Sequence, residues 1–177
     1  NEQREGEKIR QAKRFGSMAN ELERLNRMET LHQLETLNAE FCYFLDHNML
    51  DRLLNLFSEG AYYSHGPRVS RGKQQIRDVF ENRSADGDRT ARHVQSGLRI
   101  ELTGEQAAKG ESVCITFAAD GSAPIQSTEV HLVADFSDEY SLGEDGEWRI
   151  ARREITRVFI SPGNTGPVSY SGGSLDS

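Results

Sequence analysis

The sequence lacks the features that mark several large classes of protein. No run of about 18 apolar residues occurs, so no transmembrane helix and no membrane partner are predicted. A basic and then apolar start followed by a cleavage site is also missing, so no signal peptide is predicted. Only two cysteines are present, Cys42 and Cys114, and they do not form a CxxC pair. We therefore expect ordinary reduced thiols and a cytoplasmic location.

Motifs for cofactors, metals and nucleic acid are equally scarce. The chain has no Gly-rich phosphate loop and no GxSxG, and its five histidines show neither HxH nor HExxH spacing. Lys and Arg number 21 against 28 Asp and Glu, which gives a net charge of −7. Nucleic acid is not expected as a partner, because phosphate binding needs clustered basic residues. The sequence predicts no metal and no cofactor.

What is present fits one domain of ordinary size. The chain has 177 residues, of which 36% are hydrophobic. Residues 1–20 are predicted to form a charged arm, a frayed end or loose helix interrupted by Gly6 and Gly16. Residues 161–177 are rich in Gly, Pro and Ser and are predicted to form a flexible tail or a flap over a pocket. The domain is expected between them, at residues 21–160.

Hydrophobic spacing predicts helices first and strands afterwards. Apolar residues recur every three or four positions from Leu22 to Leu45, which predicts a helix whose apolar stripe is core or faces a helical partner. A short helix is expected after Leu50, a short strand over 61–65 and a third helix opened by Gly72. Four strand-like stretches follow, joined by hairpin turns, at residues 93–102, 112–119, 128–142 and 148–160. This order predicts an α+β fold with helices on one face of an antiparallel sheet.

Asp46 and His93 are the first two candidate site residues. Asp46 ends the helical stripe, where a carboxylate is unfavourable for the helix dipole, and it could instead cap the following helix. Strict alternation puts His93 on the polar face of its strand. A bulge at Ser96-Gly97 would place His93 and Gln95 on the inward face with Leu98. The pattern alone leaves both alternatives open for each residue.

Further candidates lie on the last strand and among the aromatic residues. Arg153 lies on a mainly apolar face, where a guanidinium must pair with an acid, with Asp135, Asp138 and Glu139 available, or serve an anion. Four other side chains are candidates to line the same cavity, or are structural or surface groups: Tyr43, Tyr62, Tyr63 and His65. His131 alternates against an apolar set and is expected on the outer face of the sheet.

Three segments, taken in order, resemble the SnoaL-like branch of the nuclear-transport-factor-2-like superfamily. They are CYFLDHNMLDRLLNLFSEGAYYSHG, RHVQSGLRIEL and DGEWRIARREITRVF. The likeness spans about Leu31 to Ile160 and is greatest to scytalone dehydratase, lindane dehydrochlorinase and bile-acid dehydratase. It implies a cone of curved antiparallel sheet with helices closing over a pocket.

The resemblance also implies roles for individual residues. In the dehydratase-like members an Asp at the end of the first long helix pairs with a His that opens a strand, and Asp46 and His93 match these positions. Arg153 matches an Arg of lindane dehydrochlorinase. Phe41 departs from the pattern, because lindane dehydrochlorinase has Lys and bile-acid dehydratase has Tyr there. Phe41 is therefore predicted to contact substrate without donating a proton, and Tyr43, Tyr62 or Tyr63 is a candidate donor in its place.

These observations lead to one leading hypothesis and two alternatives. The leading hypothesis is a cofactor-independent lyase or isomerase, dehydratase-like, acting on a small hydrophobic substrate, with cyclic and aromatic compounds as candidates. The first alternative is a binding or dimerisation module, or the small subunit of a larger enzyme, since fold does not settle function. The second is a relative of polyketide cyclases or steroid isomerases. A homodimer or homotrimer is expected, because an open sheet has an apolar face to cover.

Overall fold

The computed structural model describes residues 2–85, 89–126 and 129–162. Three helices lie in these ranges: α1 (Glu2–Asp46), α2 (Leu50–Asn55) and α3 (Gly72–Ala85). The strands are β1 (Phe57–His65), β2 (Arg68–Arg71), β3 (Arg89–Gly104), β4 (Ala107–Asp120), β5 (Leu132–Leu142) and β6 (Trp148–Ile160). The predicted α+β class is confirmed. Most of the predicted tail, residues 163–177, lies outside the described residues.

By its contacts the chain forms two compact units, residues 1–35 and 36–177. In the first unit, α1 continues through Gly6 and Gly16. One glycine costs a helix about 1 kcal/mol relative to alanine, which good helix formers on either side can offset. The apolar stripe is helical as predicted, but Leu22, Leu25 and Met28 are exposed rather than core residues. The division of the chain at residues 20 and 160 stays a prediction.

The second unit is built on one six-stranded sheet, curved and unclosed, in the order β2-β1-β6-β5-β4-β3. Neighbouring strands are antiparallel, as predicted, with one exception: β1 and β6 are parallel. Antiparallel neighbours can be joined by short hairpins, whereas parallel neighbours need a long connection. Since β1 and β6 are separated by most of the domain, no hairpin dictates their relative direction.

Bulges decide which side chains face inward. The pairing of β3 with β4 shifts by one residue between Ser96 and Arg99, and Gly97 within it has a φ of +66°. A bulge of this kind needs a residue that tolerates positive φ, which glycine does without steric cost. The shift puts His93 and Gln95 on the same face as Leu98. The bulged alternative for β3 is therefore the correct one.

The core of the second unit lies between the inner face of the sheet and the end of α1. Phe41 of α1 packs edge-to-face against Phe57 of β1 and Phe136 of β5. Cys42 and Cys114 are buried and free, in keeping with the expected reduced thiols. Among the described residues, no helix combines the length and the apolar character needed to cross a membrane. The cytoplasmic location and the homodimer or homotrimer stay predictions.

Candidate active site

Asp46 is positioned by the end of α1. The helix ends at Asp46, and the chain turns sharply at Asn48, whose φ is +52°. Asn adopts this left-handed conformation more readily than most residues and often follows a helix. The N-cap of α2 is Met49, and no side chain caps that helix. The interpretation of Asp46 as a cap of the following helix is therefore wrong.

The carboxylate of Asp46 instead binds His93, 47 positions along the chain. The backbone N–H of His93 donates to Oδ2 at 2.8 Å, and ring Nδ1 lies 2.5 Å from Oδ1. The two side chains are 5% and 10% exposed, so water competes little for either group. Because an ionised carboxylate only accepts hydrogen bonds, the ring proton is assigned to Nδ1. Nε2 of His93 then carries a lone pair.

His93 lines a cavity of about 120 Å³ at one end of the sheet. Among the lining residues, three are histidines and three are arginines. The set is His65, Arg83, Arg89, His93, Thr116, His131, Leu132, Arg157 and Ile160. The sequence-based candidates His65 and His93 are thus brought together, and the cavity is more cationic than the apolar pocket that was expected.

The outward placement predicted for His131 is wrong. The residue precedes Leu132, the first residue of β5, so strand alternation does not set the direction of its side chain. Its backbone N–H donates to the carbonyl of Thr116 at 2.8 Å. Its Nε2 lies 3.3 Å from Nη2 of Arg89, and because a guanidinium has only donors, Arg89 donates this hydrogen bond.

Burial and the arginines keep the three imidazoles neutral. Burial, followed by the charge of Arg157, lowers the pKa of His65 to about 4. Burial lowers the pKa of His131, and Arg89 adds to this effect. Burial also lowers the pKa of His93, against the hydrogen bond that its ring donates to Asp46, which raises the pKa. At neutral pH the three rings are therefore uncharged, and Nε2 of His93 keeps its lone pair.

The charged forms of two arginines that line the cavity are also disfavoured by their surroundings. Burial lowers the pKa of Arg83, and the neighbouring charge of Arg89 lowers it further. Burial likewise lowers the pKa of Arg89. An arginine stays charged in proteins even when its pKa falls. The cavity therefore contains fixed positive charge around neutral histidines.

Arg153 does not line this cavity. Its side chain is fully buried, and its Nε and Nη2 donate to the two carboxylate oxygens of Asp138 at 2.8 and 2.7 Å. Nη2 also donates to the side-chain oxygen of Asn38 at 2.5 Å. The guanidinium lies over the rings of Phe41 and Phe136, 4.2 and 4.9 Å from their centroids. The structure thus shows the ion-pair alternative, with Asp138 as the acid.

The aromatic candidates also lie elsewhere. Phe41 is a core residue, 1% exposed, and Tyr63 is buried against Phe57. Tyr43 is 51% exposed, so the helical spacing that puts it near Asp46 does not turn it inward. Tyr62 contacts arginine side chains on the opposite face of β1 from Tyr63. None of these four side chains is among the described residues that line the cavity.

Several cavity residues were missed by the sequence analysis. Arg157 had a usable signal, since it alternates with Arg153 and Ile155 on β6 and so shares their face. Arg83 and Arg89 flank a polar segment between α3 and β3 that carries no periodicity. Of the described residues, no group of three or more His, Cys, Asp or Glu is arranged to hold a metal ion. The expected lack of a metal and of a cofactor stays a prediction.

Solved structures with the same fold include several of low sequence identity. A protein from Novosphingobium aromaticivorans, provisionally assigned as a scytalone dehydratase, is 19% identical, with a TM-score of 0.68 over 82% of this chain and 97% of that one. LinA is 18% identical, with a TM-score of 0.67 over 78% and 92%. ActVI-ORFA from Streptomyces coelicolor is 16% identical, with a TM-score of 0.64 over 72% and 97%.

Similarity of sequence, unlike similarity of fold alone, can identify the family of the chain. No curated protein matches the chain significantly. The profile of the SnoaL-like domain, by contrast, matches residues 26–154, which include Asp46, His93 and most of the sheet. The predicted resemblance is confirmed, and the chain belongs to the SnoaL-like domain family.

Proposed function

We propose that the protein is a cofactor-independent lyase or isomerase in which His93 is the general base. The observation that carries the proposal is the double hydrogen bond from His93 to Asp46 at the edge of a cavity. It holds the ring in one orientation and in the tautomer that has its lone pair on Nε2. A purely structural histidine would not need a neutral, fixed ring beside an open space.

The proposed reaction begins with transfer of a proton from a substrate carbon to Nε2 of His93. The C–H electron pair moves towards an adjacent carbonyl, giving an enolate, or expels a leaving group on the next carbon. Asp46 stabilises the imidazolium that forms, as the carboxylate of a catalytic triad does. In an isomerisation His93 returns the proton to another carbon. In a dehydration it gives the proton to the departing hydroxide, which leaves as water.

The developing negative charge needs a partner, and the cavity offers Arg83 and Arg89. Both line the same cavity as His93, whereas Arg153 is paired with Asp138. A fixed charge aimed at a developing oxyanion in a site with little water is often the largest contribution to catalysis. We therefore assign the stabilisation of this charge to Arg83 and Arg89 rather than to Arg153.

The proposal can be tested without a known substrate. In D₂O, a general base in this cavity exchanges the α-hydrogens of small ketones and β-hydroxy ketones, and NMR follows their loss. We expect His93→Gln to lower exchange about 10²–10⁴-fold, the usual contribution of a general base. His47→Gln is the matched control, because this histidine is exposed and outside the cavity.

The outcome separates the enzyme from a binding module of the same fold. Exchange that is equally fast in the wild type, His93→Gln and His47→Gln would mean that His93 is not a base. Binding of the same compounds without any exchange would favour the non-catalytic alternative. A rate that falls only in His93→Gln supports the lyase or isomerase.

A further inference from the structure

The cavity has a charge balance unlike that of the rest of the chain. The protein carries a net charge of −7, yet three guanidinium groups, those of Arg83, Arg89 and Arg157, line one cavity of about 120 Å³. The carboxylate of Asp46 already accepts hydrogen bonds from both the ring and the backbone of His93. Among the described residues that line the cavity, positive charge therefore exceeds negative charge.

Among the described residues, two of these arginines have no carboxylate in salt-bridge contact, and the charge of Asp120 acts on Arg89 only from a greater distance. Neither Arg83 nor Arg89 forms a salt bridge within the part of the chain that the structure describes, and the buried Nε of Arg89 has no hydrogen-bond partner there. Arg153, an arginine of the core, is by contrast paired with the carboxylate of Asp138 through two hydrogen bonds. Burying a guanidinium without such a partner is costly. The cost is explained if the partner is a ligand.

The geometry limits what that ligand is. A guanidinium matches the two oxygens of a carboxylate with two parallel hydrogen bonds. At about 10–15 Å³ for each water-sized sphere, the cavity has room for roughly ten non-hydrogen atoms. Leu132 and Ile160 add apolar lining for a short hydrocarbon part, and His93 faces the same space.

We propose that the substrate is a small organic acid whose carboxylate binds Arg83 and Arg89 while the carbon that loses its proton lies against Nε2 of His93. This inference rests on the proposed function for the role of His93, but the anion site itself does not depend on catalysis. Arg83 and Arg89 then have two tasks, anchoring the carboxylate and stabilising the charge that develops beside it.

Calorimetric titration tests the anion site directly. The probes are benzoate and cyclohexanecarboxylate, the amides of the same shape, benzamide and cyclohexanecarboxamide, and inorganic phosphate. We expect the carboxylates to bind at least about tenfold more tightly than the amides and more tightly than phosphate. A charge-assisted hydrogen bond of ordinary strength predicts that Arg83→Gln and Arg89→Gln each weaken carboxylate binding about 10- to 100-fold. Amide binding should not change.

Two controls make the result specific. Arg99→Gln removes the same charge from an exposed position of β3 that is outside the cavity and should leave binding unchanged. The thermal midpoint should not fall in Arg83→Gln or Arg89→Gln, since each change removes a partly buried charge that has no salt bridge to a described residue, whereas loss of a structural arginine would lower the midpoint.

Several results would overturn the inference. Equal affinity for acid and amide, no binding of either carboxylate, or tighter binding of phosphate would exclude a carboxylate site, as would arginine variants that bind like the wild type. His93→Gln separates this inference from the proposed function. It should lower hydrogen exchange about 10²–10⁴-fold while keeping carboxylate affinity within about threefold, because the arginines remain. Loss of exchange with no anion preference would leave His93 as the base and refute only the anion site.

Discussion

Replacing Asp46 by asparagine tests the central pair of the site, because the change keeps the shape and removes the charge. Asp46 accepts two hydrogen bonds from His93, one from the backbone and one from Nδ1. An amide has one accepting oxygen and one donating nitrogen. Whichever way the new amide is turned, one donor of His93 faces another donor. The ring can relieve this only by moving its proton to Nε2, which removes the lone pair that the proposed mechanism needs.

The expected magnitudes follow from these contacts. Leaving a buried donor without an acceptor costs about 1–3 kcal/mol, so the free energy of unfolding should fall by that amount. The exchange or turnover rate should fall about 10²–10⁴-fold, since the base is lost in its active tautomer. The pKa of His93 should also fall further, because the hydrogen bond and the charge of Asp46 are what raise it against burial. The acidic limb of kcat/KM should therefore move to lower pH.

An NMR titration of the histidine Cε1–H resonances measures this pKa without any substrate, with the His93 signal assigned by its absence in His93→Gln. Asp51→Asn is the matched control, since this carboxylate is exposed and pairs with Arg77 instead. A His93 pKa that is unchanged or raised in Asp46→Asn would refute the reasoning, as would full activity in that variant. A lowered pKa with the rate intact would show that the pair is structural.

Two other perturbations probe the charges that the fold buries. Asp138→Asn should lower the free energy of unfolding, measured in urea, by about 3–5 kcal/mol, because it leaves the guanidinium of Arg153 buried and uncompensated. The control Asp135→Asn, at an exposed position, should change the free energy of unfolding by less than about 0.5 kcal/mol. Equal effects of the two variants would contradict the buried ion pair. The pKa of His65 is lower in the folded protein, about 4, than its ordinary value of 6.5, so the unfolded chain binds the proton first and stability is lost as the pH falls from 6.5 towards 4. This amounts to about 2 kcal/mol by pH 5, and His65→Gln should remove that part of the pH dependence; an unchanged slope would count against a buried neutral ring.

The sequence was most informative where structure depends on near neighbours. Helical spacing placed the end of α1 at Asp46, and turn residues placed the hairpins between the later strands. Gly97 allowed the bulge that the structure contains, because it is the residue there that adopts positive φ at no cost. The family resemblance then predicted that Asp46 pairs with His93, which no local pattern could predict.

The sequence was least informative at strand ends and bulges, where alternation no longer reports which way a side chain points. His131 lies just before a strand and faces the cavity, although its neighbours suggested the opposite. An extra residue of β6 between the positions paired with Glu139 and Tyr140 changes the face on which Arg153 lies relative to Ala151. Periodicity assumes an unbroken strand, and this sheet curves because its strands are interrupted.

By itself, then, the sequence determined the fold class, the family and the two residues of the proposed catalytic pair, because each leaves a mark in local spacing or in a shared motif. Only the tertiary structure decided which charges are compensated. Arg153, which lies in a motif, pairs with Asp138, whereas Arg83 and Arg89, which lie outside the motifs, line the cavity with no salt bridge to a described carboxylate. That difference arises from strands and a helix end that converge only when the sheet bends, and electrostatic energy depends on distance in space rather than along the chain.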